Sequence, residues 1–183
     1  MWWASLVGTS RNMSGSEVKQ QVVFIHGGEA FSRYEDFLQT LRTKPLKPLE
    51  EPSRRWTDTL RDDLGEAYEV FLPSMPNKQN AKYQEWKIWF ERHFPFLRNG
   101  VLLVGWSQGG YFLVKYLLEN ELPVQIKGLL LLAAPFAPDD FGGEDGGDFA
   151  FDTSQVKTLA TRVTHIRLFH SKDDFVVPYA HAL

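Results

Sequence analysis

Cysteine is absent from the sequence. No disulfide, no thiolate nucleophile and no cysteine-ligated zinc or iron–sulfur centre is therefore available, and the composition is compatible with a reducing compartment, for which the cytoplasm is the expectation. Cations are not in excess either: 20 Lys and Arg stand against 23 Asp and Glu, a formal net charge of −3. With no basic stripe to meet a phosphate backbone, nucleic acid is not an expected partner. No apolar run approaches the roughly 20 residues that span a bilayer, so no membrane partner is expected. The apolar opening, Met1-Trp2-Trp3-Ala4-Ser5-Leu6-Val7-Gly8, lacks a basic flank and is too short for a signal core. Residues 1–19 read as a disordered leader, with Met13 as an alternative start. Phosphate-binding glycine patterns are also missing: the glycine turns match neither G-x-G-x-x-G nor the P-loop, which disfavours a nucleotide-binding α/β domain.

What is present is the make-up of a folded globular protein, 43% hydrophobic and 23% charged over 183 residues. A chain of this length buries roughly two thirds of its unfolded surface and needs no staple, so residues 20–183 are expected to form one domain. Five aliphatic runs read as buried parallel strands: Val22 to His26, Tyr68 to Leu72, Val101 to Trp106, Gly128 to Ala133 and Val163 to His170. Helical patterns lie between them, clearest over Ala81 to Phe94 and Gln108 to Glu119, with others around Tyr34 to Leu41 and Arg55 to Leu64. The alternation predicts an α/β fold with a doubly wound parallel sheet in the order 2-1-3-4-5. Pro135 to Asp152, rich in Gly, Asp and Phe and without periodicity, reads as a loop beside the strand ends and a candidate lid.

The strongest chemical signal is Val101-Leu102-Leu103-Val104-Gly105-Trp106-Ser107-Gln108-Gly109-Gly110, a buried strand running through G-x-S-x-G into a helical pattern. This is the context of a nucleophile elbow, with Ser107 at the turn. Gly105 and Gly109 meet the need for small residues where the backbone passes close to itself. The helix N-terminus favours a developing oxyanion, and the Gln108 N–H is the expected first donor. Alone, G-x-S-x-G recurs by chance and its serine is read as a helix cap; the flanking strand and helix favour the nucleophile. A second signal, Val22-Val23-Phe24-Ile25-His26-Gly27-Gly28, ends a strand in a glycine turn. Its main chain offers a second donor between Gly27 and Glu29, with Gly28 chosen, while His26 shapes the loop rather than acting as a base. A third, Ile166 to Pro178, places Asp173 and Asp174 after the last strand. Asp174 is the candidate acid and Asp173 a turn cap. In a 2-1-3-4-5 sheet the switch point falls between strands 1 and 3, which brings His26-Gly27-Gly28 and Ser107 to one crevice.

These residues resemble the α/β-hydrolase superfamily, and within it the small serine hydrolases of the retinoblastoma-binding serine hydrolase and YdeN-like type, from about Val22 onward. Beyond HGG, GWSQG and SKDDFVVP, the stretch Leu72-Pro73-Ser74-Met75-Pro76-Asn77, with Asn80-Ala81, Tyr83 and Trp86, is similar to that family's Pro-x-Met-Pro-Asn segment and tryptophan-bearing helix. The resemblance implies Ser107 as nucleophile, Asp174 as acid, a small-molecule carboxylic ester as substrate (an amide or thioester second), and no metal or organic cofactor. It also implies a further helix, strand and Gly-His turn after the acid, which this sequence does not reach by Leu183. A C-terminally truncated enzyme is therefore the expectation and a natural short, inactive form the alternative. His93, His165, His170 and His181 are expected to be structural or exposed, and no catalytic histidine is named. Phe136, Phe141, Phe149 and Phe151, with Trp106, read equally as an apolar substrate pocket and as plain packing. The rival class is a noncatalytic member of the fold that binds an unspecified protein partner.

Overall fold

Five short aliphatic runs pair in parallel into one sheet, in the order β2-β1-β3-β4-β5, in a computed structural model that describes residues 18–49, 55–136 and 146–182. The strands are β1 (Gln20–Ile25), β2 (Tyr68–Phe71), β3 (Val101–Trp106), β4 (Ile126–Leu132) and β5 (His165–Phe169). The order is the one the sequence predicts, and β1 and β3 lie side by side with Ile25 opposite Gly105. Helices α1 (Tyr34–Thr43), α2 (Leu60–Leu64), α3 (Tyr83–Glu91), α4 (Gln108–Glu119) and α5 (Leu159–Arg162) connect the strands.

Several boundaries differ from the sequence reading for local reasons. The N–H of Val163 closes α5 on the Leu159 carbonyl, so β5 starts only at His165. At the front of α3, the Ala81 N–H binds the Glu29 carbonyl instead of joining a helix. Beyond Glu91 the chain tightens into a 3-10 turn, Phe94–Phe96, where Pro95 has no N–H to continue an α-helix. The stretch from Arg55 to Leu64 divides into a 3-10 turn, Trp56–Thr59, and the short α2.

Period-two alternation sends side chains to two cores. Val23, Ile25, Leu103 and Leu129 face Trp86 and Phe90 of α3 and Tyr111, Phe112 and Tyr116 of α4, all fully or nearly fully buried. On the other face, Val22, Phe24, Leu102, Val104 and Leu130 form a smaller cluster, against which Leu60 of α2 packs. The Trp56 ring meets Phe24 edge-on at 5.4 Å on this second face.

Residues 1–17, most of the expected leader, lie outside the described residues, as do 137–145 with Phe141. The described end of the candidate lid is anchored to the first core. Phe149 is buried against Trp86 at 5.3 Å, the Tyr83 N–H donates to Asp148 Oδ1, and the Lys115 ammonium donates to the Ala150 carbonyl. Phe151 stacks on Tyr111 at 5.0 Å. Phe149 and Phe151 thus serve packing. No described helix is long and apolar enough to cross a membrane.

Candidate active site

Ser107 sits in the single-residue turn between β3 and α4, half-buried, with φ 50° and ψ −124°. That left-handed conformation is one an L-residue avoids, at a cost of about 1–3 kcal/mol that the surrounding structure must offset. The offsets are visible. The Ser107 N–H donates to the Leu132 carbonyl at 2.8 Å, and its own carbonyl accepts from Gly110 N–H at 2.8 Å and Tyr111 N–H at 3.2 Å. The backbone is pressed into this shape by neighbours that leave no space for side chains. A Cβ on Gly109 would stand 2.2 Å from the Ile25 carbonyl oxygen, and one on Gly105 would stand 2.5 Å from the Gly110 Cα.

The turn after β1 closes on the other side of Ser107. A Cβ on Gly27 would lie 3.2 Å from the Ser107 Cβ and 3.6 Å from the Trp106 ring. A Cβ on Gly28 would lie 2.8 Å from the Lys78 carbonyl oxygen. Glu29 donates its N–H to that Lys78 carbonyl, so of the three expected donors Gly27, Gly28 and Glu29, the last is engaged within the fold. Gln108 is the first residue of α4 and has no carbonyl a turn earlier in its own helix to accept its N–H. Its side chain is buried, and among the described residues its Nε2 has no hydrogen-bond partner.

His26 is committed to the scaffold. The Met75 N–H donates to its Nε2 at 2.9 Å, which makes Nε2 an acceptor and puts the proton on Nδ1, 2.7 Å from the Gly27 carbonyl. Burial is the main force lowering its pKa below 6.5; the Gly27 hydrogen bond opposes this, and the positive charges of Lys78 and Arg55 add to the lowering. A protonated ring would also set Nε2–H against the Met75 N–H. The neutral ring therefore contributes stability in full above the unfolded value of 6.5, and that stability is lost as pH falls from there through the depressed folded value. Between pH 7.5 and 5, the unfolding free energy from urea titration is expected to fall with a slope bounded by about 1.4 kcal/mol per pH unit for this one group. A His26→Gln variant, less stable at neutral pH, should show a flatter profile; equal slopes in the two proteins would refute the assignment.

At the far side, Asp174 Oδ1 accepts from the backbone N–H groups of Val176 and Val177, each at 2.9 Å, in the turn after β5. Its Oδ2 lies 3.7 Å from Nε2 of His170, whose buried ring donates to the Val177 carbonyl at 2.7 Å. Asp173 accepts from the Ser171 hydroxyl, and this hydrogen bond lowers its pKa. The remaining histidines are spread out. His181 Nδ1 accepts from the Phe136 N–H at 2.9 Å, His93 Nδ1 lies 2.8 Å from the Trp89 carbonyl, and His165 is exposed on β5. Among the described residues, no hydrogen bond joins the Ser107 hydroxyl to a histidine.

Beside Trp106, at the C-terminal ends of β3, β4 and β5, an open cleft of about 570 Å³ is bounded by Trp56, Leu132, Ala133, Phe169 and His170. Sequence reasoning did not find Trp56, because its role depends on packing between segments far apart in the chain. The same holds for the Met75 contact with His26. Ligands in open α/β sheets gather at these strand ends.

No protein-family model matches the sequence, and no curated protein matches it. Among solved structures, the ydeN gene product from B. subtilis superposes with a TM-score of 0.64 at 20% identity, over 89% of this chain and 77% of its own. An extracellular α/β-hydrolase from a Paenibacillus species gives 0.38 at 19% identity, over 67% of this chain and 43% of its own. MenH from S. aureus gives 0.35 at 16%, over 66% and 40%. The chain therefore spans less than half of the latter two proteins. The sheet order and the first of these superpositions give the chain an α/β-hydrolase-like fold.

Proposed function

We propose that the protein is a serine hydrolase that acts on a small carboxylic ester, with an amide or thioester as the less favoured substrate, through an acyl-enzyme on Ser107. The observation that carries the reading is the Ser107 backbone: a strained residue held at φ 50° where β3 meets α4, with the Gly27 turn against its Cβ. Strain at one polar residue, enforced by glycines on both sides, is a reason to assign that residue a reactive role. In this reading the Ser107 oxygen adds to the ester carbonyl carbon. The N–H groups of Gln108 and Gly28 receive the developing oxyanion, the alcohol departs, and water later releases the acid. Asp174 is the acid that would orient a general base and stabilise its cation; we assign no residue of the chain to that base.

A second reading, a noncatalytic member of the fold that binds a protein partner, is favoured by one observation. Among the described residues, no histidine is hydrogen-bonded to Ser107. A fluorophosphonate probe separates the two. Labelling that disappears to background in Ser107→Ala is the expected result, and an unlabelled but folded wild-type protein would sink the enzyme reading in favour of the binding scaffold.

A further inference from the structure

The cleft beside Trp106 has a neighbour on the second face of the sheet. Between α2 and the sheet lies a partly enclosed slot of about 40 Å³, walled by Leu60 and Leu64 of α2 and by Leu102 and Leu130 of β3 and β4. Trp56 and Leu132 line the slot and the cleft alike, so the two spaces adjoin one another. The Trp56 indole lies where they meet: it is 47% exposed, sits on the short 3-10 turn before α2, and touches Phe24 edge-on at 5.4 Å and Trp106 at 5.9 Å. Trp106 in turn flanks Gly27 and is joined covalently to Ser107.

We propose that cleft and slot are two compartments of one binding site, and that the slot beneath Trp56 takes a short alkyl tail from the acyl or alcohol part of the substrate. The slot is roomy enough for about three waters at 10–15 Å³ each, yet its lining is almost wholly apolar and offers few of the two to four polar partners a buried water needs. Apolar cavities of this kind stay dry and accept apolar guests. Each methylene moved from water into such a space raises affinity about fourfold, from about 0.8 kcal/mol per CH₂. The inference rests on Ser107 as the reacting centre: Ser107 does not itself line the cleft, but it follows Trp106, which does, and this sets the carboxyl end of the ligand on the cleft side.

The test uses straight-chain carboxylates from acetate to octanoate, titrated calorimetrically into the full chain, into Ser107→Ala, and into Leu60→Phe and Leu64→Phe, which fill the slot from the α2 side. Affinity is expected to climb about fourfold per methylene until the slot is full, at least tenfold in all. The climb should persist in Ser107→Ala and vanish in both phenylalanine variants, provided their near-ultraviolet circular dichroism matches wild type. Affinity independent of chain length, or a climb unchanged in both variants, overturns the proposal. Should neither variant fold, xenon replaces them: pressurised xenon should shift the methyl resonances of Leu102 and Leu130 in the wild-type protein, and unshifted methyls overturn it. Labelling at Ser107 without chain-length dependence removes the slot and leaves the hydrolase, whereas chain-length dependence without labelling removes the hydrolase and leaves the slot.

Discussion

Gly109→Ala is expected to destabilise the protein by more than about 4 kcal/mol and to abolish fluorophosphonate labelling at Ser107. The new methyl would sit 2.2 Å from the Ile25 carbonyl oxygen and 2.6 Å from that of His26, both backbone atoms of β1 and the turn after it. Neither can swing aside as a side-chain tip would. Relief requires α4 to lift away from β1, which would open the first core where Tyr111, Phe112 and Leu113 are fully buried. Losses of that size arise from a short list of causes, and overpacking against rigid backbone is one of them. Gly65→Ala is the control: its φ of +76° imposes left-handed strain, but no atom lies within 4 Å of the new Cβ. Its ψ of −174° puts it in a region that side chains seldom adopt, so a cost of about 1–3 kcal/mol is expected there, with labelling retained. Denaturant unfolding of both variants reads the contrast. Near wild-type stability in Gly109→Ala would mean that the β1 turn and α4 separate easily, and the account of the Ser107 turn would fall.

The parts of this architecture that local chemistry dictates were legible in the sequence. An unbroken apolar run followed by Gly105, Ser107 and Gly109 delimits β3 and α4, and both are found at Val101–Trp106 and Gln108–Glu119. The sheet order was legible for a related reason, since alternating strands and helices with a glycine turn after the first and third strands leave few arrangements. What could not be read are contacts between distant segments. Nothing near His26 in sequence announces that Met75, 49 positions later, will donate to its ring. Nor does the glycine-rich composition around Phe149 reveal that this residue is buried between Trp86 and Phe112, because composition signals a loop but not where the loop docks. Trp56 carried no pattern of its own, and its position at the wall of two cavities emerges only when the 3-10 turn folds over Phe24.

Trp86→Ala is the second large effect, and it tests whether the Ser107 site is held up from below. The indole is fully buried, donates its Nε1–H to the Pro76 carbonyl at 2.8 Å, and meets His26 at 5.7 Å, Phe112 at 5.7 Å and Phe149 at 5.3 Å, all edge-on. One side chain thus joins the segment after β2, the ring under the β1 turn, α4 and the anchored end of the 146–152 loop. Its ring also lies 3.3 Å from where a Cβ on Gly28 would stand, so it forms the floor beneath that turn. Truncation leaves a large cavity and strips the Pro76 carbonyl of its donor, for an expected loss of about 3–5 kcal/mol. Trp86→Phe keeps most of the volume but not the N–H and should recover more than half of that loss. If the Gly28 N–H stabilises an oxyanion at Ser107, the alanine variant should also label more slowly under conditions where it remains folded, with the phenylalanine variant in between. Unchanged labelling in a folded Trp86→Ala protein would show that the β1 turn holds its shape without the indole, and that His26 with its Met75 and Gly27 hydrogen bonds suffices to hold it.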